Sequence, residues 1–171
     1  MIKFVKLKID RINKQFKNIT FIEDVFRLYQ KYNRYLNDDF VKEKSLLDVV
    51  INTIERNTPF FWVILKDNKF AGFVFLENII GSDKNIHSAE ITTCFKKEYW
   101  GHFTGLAAKK FIKYCFKKLK LKKLKAIVYS ENFRAFSILK SAGMSLEAEL
   151  KAETMKNGKL QDVKIYSILN K

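Results

Sequence analysis

The sequence predicts an α/β protein of the α+β kind, with a mixed central sheet of about seven strands flanked by about four helices. Three patterns predict it. Two β-rich apolar runs face each other across the polar turn Lys66 to Lys69 and lead into a third strand. That third strand passes through a glycine turn into a long helical pattern and then into another strand, an order that implies a parallel pair. The chain closes on two strands around Asn157-Gly158, a strong hairpin signal.

The elements follow in order. Residues 2 to 9 alternate apolar and basic side chains (Ile2, Phe4, Val5, Leu7, Ile9), which suits an opening strand with one buried face. From Phe21 the period changes: Ile22, Val25, Phe26, Tyr29 and Tyr32 recur at helical spacing, with Glu23 and Asp24 in the first turn where the helix dipole favours acids. Ser45 is expected to cap a second helix with the apolar face Leu46, Val49, Val50 and Ile54, ending before Pro59. FFWVIL (60–65) and FAGFVFLENII (70–80) form the hairpin, both strands apolar enough to be buried on two faces, and GSDKN (81–85) is read as the loop to the strand that starts at Glu90. Leu106, Ala107, Phe111, Cys115 and Leu119 mark the helix launched by the glycine turn, and LKAIVY (124–129) is the strand after it. Asn132 is expected to cap a last helix that Gly143 stops.

Composition bounds the function. The 171 residues fit one domain, expected to span 1–171 and long enough to bury a core. With one proline and six glycines, no stretch reads as a linker. No apolar segment approaches the length of a membrane span, and the N-terminal MIKFVKLKIDRI lacks an uninterrupted apolar core, so a cytoplasmic protein without a membrane partner is expected. Cys94 and Cys115 show no metal spacing and read as reduced, half-buried small hydrophobes, so no metal is expected. The net charge of +15 favours polyphosphates, nucleic acids or acidic partners. Lysine dominates it, dispersed along the chain with one denser run from Lys117 to Lys125, and this favours surface solvation over specific nucleic-acid recognition.

Glu90 to Gly105 is the stretch around which the function is organised. Ile91, Thr92, Thr93 and Phe95 have strand character, and Gly101 and Gly105 lie where a helix begins. Free N–H groups at a helix start favour a phosphate-bearing ligand, while the competing reading is a simple glycine corner. A strand, crossover helix and second strand place the fourth strand of the sheet beside the fifth, and a ligand crevice opens where such neighbours splay.

In this order and spacing the sequence resembles the GCN5-related N-acetyltransferases (GNAT), closest in pattern to the ribosomal-protein-alanine and spermidine acetyltransferase group. AEITTCFKKEYWGHFTGLAAKKF is similar to the family's fourth strand and acetyl-CoA loop, NFRAFSILKSAGM to its Asn-led helix, and NGKLQDVKIYSIL to its closing hairpin. The loop departs from the family pattern of Arg or Gln, two variable residues, Gly, a variable residue, then Gly or Ala. Trp100 stands at its first position and Phe103 at its middle glycine.

The resemblance implies an acetyl-CoA-dependent N-acetyltransferase acting by direct transfer to a primary amine: a protein N-terminus, a polyamine or an amino sugar. Trp100, Gly101, His102, Phe103, Thr104, Gly105 and Leu106 are the implied cofactor loop, with Asn132 on the pantetheine arm or acting as a cap only. An unpaired N–H at Cys94 or Phe95 is assigned to polarise the thioester carbonyl. Glu90, at the strand start, is the implied base, against the reading of a structural salt bridge. The family's acid, a Tyr, is replaced by Leu139, and a Ser of some relatives by Ala135, which leaves Ser137 and Tyr129 as substitutes. Tyr32, Tyr35, Asp38 and Asp39 are candidates for binding a cationic acceptor. An acyl-enzyme on Cys94 is disfavoured, since no histidine stands in an activating arrangement. The competing reading is a catalytically weak module of the same fold that binds the cofactor or associates with nucleic acid or the ribosome. A monomer or homodimer is expected.

Overall fold

The computed structural model describes residues 1–10, 15–17, 19–82 and 85–170. In chain order the strands are β1 (Ile2–Lys6), β2 (Lys8–Asp10), β3 (Gln15–Lys17), β4 (Phe61–Lys66), β5 (Lys69–Ser82), β6 (Asn85–Phe95), β7 (Lys123–Tyr129), β8 (Ser145–Lys156) and β9 (Lys159–Leu169). The helices are α1 (Ile22–Leu36), α2 (Leu46–Arg56), α3 (His102–Lys118) and α4 (Phe133–Ser141). Seven strands form one mixed sheet in the order β1-β4-β5-β6-β7-β9-β8, while β2 and β3 pair separately. The predicted sheet and the four helices are thus present.

The opening strand is shorter than its alternation predicts. β1 pairs antiparallel with β4 from Ile2 to Lys6. The chain then leaves the sheet at Leu7, fully buried, whose N–H donates to Phe61 O at 3.0 Å. β4 begins at Phe61, so the main sheet offers no further backbone to pair with, and Lys8–Asp10 turn to Gln15–Lys17 instead.

Alternation in β4 to β6 divides the interior into two cores. Phe61, Val63, Leu65, Phe73, Phe75 and Cys94 meet Val25, Leu28 and Tyr29 of α1 and Val49, Val50 and Ile54 of α2. The intervening Trp62, Ile64, Val74, Leu76, Ile91 and Phe95 meet Ala107, Phe111 and Cys115 of α3 and Phe136 and Leu139 of α4. Strands buried on both faces are what their unbroken apolar runs require. Both helices of the first core start as expected: Glu23 and Asp24 occupy the first turn of α1, and Ser45 accepts the Asp48 N–H at the start of α2. Within the lysine run, Leu121 and Leu124 are fully buried, so the run is an amphipathic segment and not a uniformly solvated surface.

The expected loop at Gly81 to Asn85 is narrower than predicted. β5 continues to Ser82 and β6 starts at Asn85, with 83–84 outside the described residues. Glu90 is therefore the sixth residue of β6, not its first. Extra cross-strand hydrogen bonds between the two arms outweigh the glycine and polar composition that suggested a loop there.

β6 and β7 are parallel only from Ser88–Glu90 against Lys123–Lys125. Beyond that point β7 keeps its ladder with β9 as far as Tyr129↔Val163, while β6 stays on β5 as far as Phe95↔Gly72. Each strand follows its other neighbour, and the two splay. Asn157 (φ 51°) and Gly158 (φ 70°) form the turn of the β8–β9 hairpin, both with the positive φ such a turn needs. Among the described residues no helix is long and apolar enough to cross a membrane, and no group of three His, Cys, Asp or Glu is placed to hold a metal.

Candidate active site

The splay opens a cleft of about 1420 Å³ between β6 and β7, walled by the starts of α3 and α4 and by the C-terminal part of α1. It gathers nearly every residue singled out from the sequence: Glu90, Cys94 and Phe95 on β6, Trp100 to His102 with Thr104 to Leu106 at α3, Tyr129 on β7, Asn132 and Ser137 at α4, and Tyr32, Tyr35 and Asp38 near the end of α1. Phe103 and Asp39 do not line it.

The anion-binding end is built by the turn into α3. Gly101 precedes the helix at φ 96°, ψ −127°, a conformation open to glycine and costly for any other residue. Its carbonyl accepts the Gly105 N–H at 3.2 Å and the buried Thr104 hydroxyl at 2.8 Å. The first helical bond therefore belongs to Gly105, whose N–H is not available to a ligand as the glycine pattern suggested. The N–H groups of His102, Phe103 and Thr104 have no intrahelical acceptor and no side-chain cap, and they carry the positive end of the helix dipole. Phe103 is accommodated by turning away from the cleft, edge-on to Phe95 and against Tyr99, with ring centroids at 6.3 and 5.4 Å.

Register decides which N–H groups of β6 face the cleft. Lys96 N–H donates to Ala71 O, and in an antiparallel ladder alternate residues point to the same side. The Cys94 N–H is therefore directed to β5 opposite Phe73, and the N–H groups of Thr93 and Phe95 face the cleft. Of the pair Cys94 and Phe95, the register selects Phe95 and adds Thr93. The Trp100 indole confirms the direction, since its Nε1–H donates to Phe95 O at 3.1 Å. The same ring lies 5.7 Å from Tyr32 and carries the Arg134 guanidinium at 4.4 Å, so Trp100 ties the strand, α1 and α4 together at the cleft. Thr93 Oγ1 is buried with no hydrogen-bond partner among the described residues.

The other end is acidic in a strongly basic protein. Glu77, which sequence reading passed over inside an apolar run, faces Glu90 across the β5–β6 ladder, and both line the cleft. The signal was one acid within FAGFVFLENII. Glu90 Oε1 accepts from Lys125 Nζ at 2.9 Å and Oε2 from Asn78 Nδ2 at 2.8 Å. Glu77 Oε1 accepts the Thr92 hydroxyl at 2.7 Å. Burial, reinforced by the charge of Glu90, raises the Glu77 carboxyl above the usual range.

The remaining candidates divide. Burial pushes the Cys94 thiol up to about 12, and at 7% exposure it is a packed hydrophobe and not a thiolate nucleophile. Burial and the charges of Asp38 and Asp39 push Tyr129 up to about 12, so its hydroxyl stays protonated. Ser137 is exposed on the cleft wall, and Leu139 is buried. Asn132 caps α4 by accepting the Ala135 N–H at 3.2 Å. Tyr35 is covered by the Arg34 guanidinium at 4.4 Å, and Asp38 accepts the Phe40 N–H and the Thr154 hydroxyl.

Asp39, expected in the acceptor site, instead anchors the β8–β9 turn by accepting the N–H groups of Asn157 at 2.9 Å and Gly158 at 2.8 Å. Those bonds lower its carboxyl pKa. A depressed folded-state pKa contributes stability above the unfolded value of about 3.9 and loses it as pH falls through the folded value. Asp39→Asn is expected to lower Tm at pH 7, with the difference from wild type closing below about pH 4 in thermal melts.

A splayed parallel pair with an uncapped helix start beside it makes a crevice suited to an anionic ligand, and comparison with known proteins names the family. The chain belongs to the GNAT acetyltransferase family: the model of the acetyltransferase (GNAT) domain matches residues 21–145. Comparison with the curated proteins gives no match. Among solved structures, a GNAT-family acetyltransferase from Bacillus anthracis superposes with a TM-score of 0.73 at 18% identity, covering 98% of this chain and 94% of that one. The spermidine N-acetyltransferase of Vibrio cholerae, solved with CoA and spermine, superposes with a TM-score of 0.75 at 22% identity, covering 98% and 95%. At these identities the likeness is one of fold.

Proposed function

We propose that this protein is an acetyl-CoA-dependent N-acetyltransferase that transfers the acetyl group directly to a primary amine bound in the same cleft. The observation that carries the reading is the alignment, on one cleft, of free N–H groups at the start of α3 with the cleft-facing N–H groups of Thr93 and Phe95. The residues fit acetyl-CoA: the helix start suits its pyrophosphate, and β6 offers backbone donors and the unpartnered Thr93 hydroxyl to its pantetheine arm. Asn132 also lines the cleft, and with its Oδ1 used in capping its Nδ2 is the group that would donate to the same arm. Acetyl-CoA supplies an activated acyl group, and the Thr93 and Phe95 N–H groups polarise its carbonyl.

The acceptor is a cationic amine, as a polyamine, protein N-terminus or amino sugar would be. Asp38, Glu77, Glu90 and Glu153 line the cleft and attract it. Its ammonium must lose a proton before it can attack, and the Glu77–Glu90 pair supplies the acceptor for that proton. Tyr129, with a pKa about 12, serves as a hydrogen-bond donor near the departing sulfur and not as the full proton source. Two free, buried cysteines fit a cytoplasmic enzyme.

Thiol release from acetyl-CoA, measured with spermidine, glucosamine and a peptide with a free N-terminus, tests the reading. Release above background with one of them is expected, together with acetyl-CoA binding by calorimetry. No release with any amine, combined with salt-sensitive binding to RNA, would replace the enzyme by the catalytically weak, nucleic-acid-associated module.

A further inference from the structure

We propose that Glu77 is the residue that takes the proton from the acceptor ammonium, and that Glu90, its cross-strand partner held by Lys125 and Asn78, is a positioning residue beside it. The assignment rests on the acetyltransferase reading above and goes beyond it by dividing the labour within the pair.

The geometry separates two carboxylates that sequence alone makes equivalent. Glu90 has both oxygens occupied, Oε1 by Lys125 Nζ at 2.9 Å and Oε2 by Asn78 Nδ2 at 2.8 Å. Protonating it would cost an ion pair with Lys125, whose side chain is 24% exposed against 12% for Glu90. Glu77 has one oxygen on the Thr92 hydroxyl and, among the described residues, leaves Oε2 without a hydrogen-bond partner on the cleft wall. Register places it there, opposite Glu90 in the last regular pair before β5 becomes irregular at Asn78, which adopts φ 47°. Asn78 is thereby brought to Glu90, so the irregularity ties down the partner of Glu77.

The surroundings of Glu77 set its affinity for the proton. Tyr29 approaches it from α1, Arg56 from α2, and Glu90 and Thr92 from β6, with Lys125 of β7 acting through Glu90. Burial and the Glu90 charge raise its pKa, while the Thr92 hydrogen bond and Arg56 oppose the rise. A raised carboxyl is the better match to an ammonium proton. In the step itself, the ammonium N–H bond breaks and the proton passes to Glu77 Oε2. The freed nitrogen lone pair then forms the C–N bond as the C–S bond breaks, and the sulfur leaves with the electron pair. The second amine proton passes to that thiolate through water, giving free thiol and amide.

The test uses Glu77→Gln, Glu90→Gln and Thr92→Val, with the amine that gives the fastest thiol release in the assay above. A base must be deprotonated to act, so kcat/KM rises with pH through its pKa. Glu77→Gln is expected to lower kcat about 100-fold or more and remove that acid limb, with acetyl-CoA affinity by calorimetry unchanged. Glu90→Gln removes the repelling charge and moves the limb to lower pH, whereas Thr92→Val removes a stabilising hydrogen bond and moves it higher. Carboxyl titration by ¹³C NMR of the protein without ligands gives a readout independent of turnover, in which Glu77 is expected to titrate above the usual carboxylate range. Loss of the limb in Glu90→Gln with its retention in Glu77→Gln, or Glu77 titrating within or below the usual carboxylate range, overturns the assignment while leaving the acetyltransferase reading standing. Wild-type protein that neither binds acetyl-CoA nor releases thiol overturns both.

Discussion

Gly101→Val is expected to weaken acetyl-CoA binding by about 5- to 150-fold, the equivalent of the roughly 1–3 kcal/mol that a residue other than glycine pays in such a backbone region. A Cβ at Gly101 would meet nothing within 4 Å, so the cost is conformational and not steric crowding. At φ 96° and ψ −127° a β-branched side chain forces the peptide to rotate. The Gly101 carbonyl then loses the Gly105 N–H and the Thr104 hydroxyl, and the N–H groups of His102 to Thr104 no longer point at one anion. Gly105→Ala is the control. Its Cβ would meet only Ser141 Oγ, at an ordinary 3.5 Å, and it sits in regular helix where alanine is favoured. Calorimetry on both variants, with circular dichroism to show that each is folded, separates the two glycines. Equal affinity of folded Gly101→Val and wild type would remove the α3 start from the cofactor site.

Trp100→Ala is expected to impair both halves of the reaction, raising KM for acetyl-CoA and for the amine together. The indole donates to Phe95 O on β6, stacks near Tyr32 on α1 and supports Arg134 on α4. Its loss leaves that carbonyl without its donor on the edge that faces the cleft, at a cost of about 1–3 kcal/mol, and frees Arg134 from a cation–π contact of about 0.5–2 kcal/mol. Trp100→Phe dissects the effect, because a phenyl ring retains contact with Tyr32 and Arg134 but cannot donate to Phe95 O. A partial recovery in Phe with most of the acetyl-CoA defect remaining is expected, since that defect follows the strand carbonyl. Unchanged kinetics in Trp100→Ala would show that the aromatic at the first position of the loop is packing alone.

These variants probe features of unequal legibility. Helical spacing in α1 and α2, the Ser45 cap, the two-faced strands β4 and β5 and the Asn157-Gly158 turn were readable because each depends on residues within one or two turns of chain. The order of these elements was enough to place the cleft between β6 and β7. Glu77 was not readable, since a lone acid in an apolar strand acquires meaning only from what stands opposite it. Asp39 misled for the same reason, its partners lying 118 and 119 residues away. The end of β1 at Leu7 likewise depends on where β4 begins, and alternation within residues 2 to 9 holds no record of that.

What the sequence by itself determined is the set of elements, their order and the residue types brought to one cleft, because local periodicity and turn chemistry act over short stretches of chain. Only the tertiary structure decided which N–H groups of β6 are free, which carboxylate is paired and which is open, and where Phe103 turns. Those depend on the register between strands, where a shift of one residue would exchange the two faces, and register is set by contacts between segments far apart in the chain.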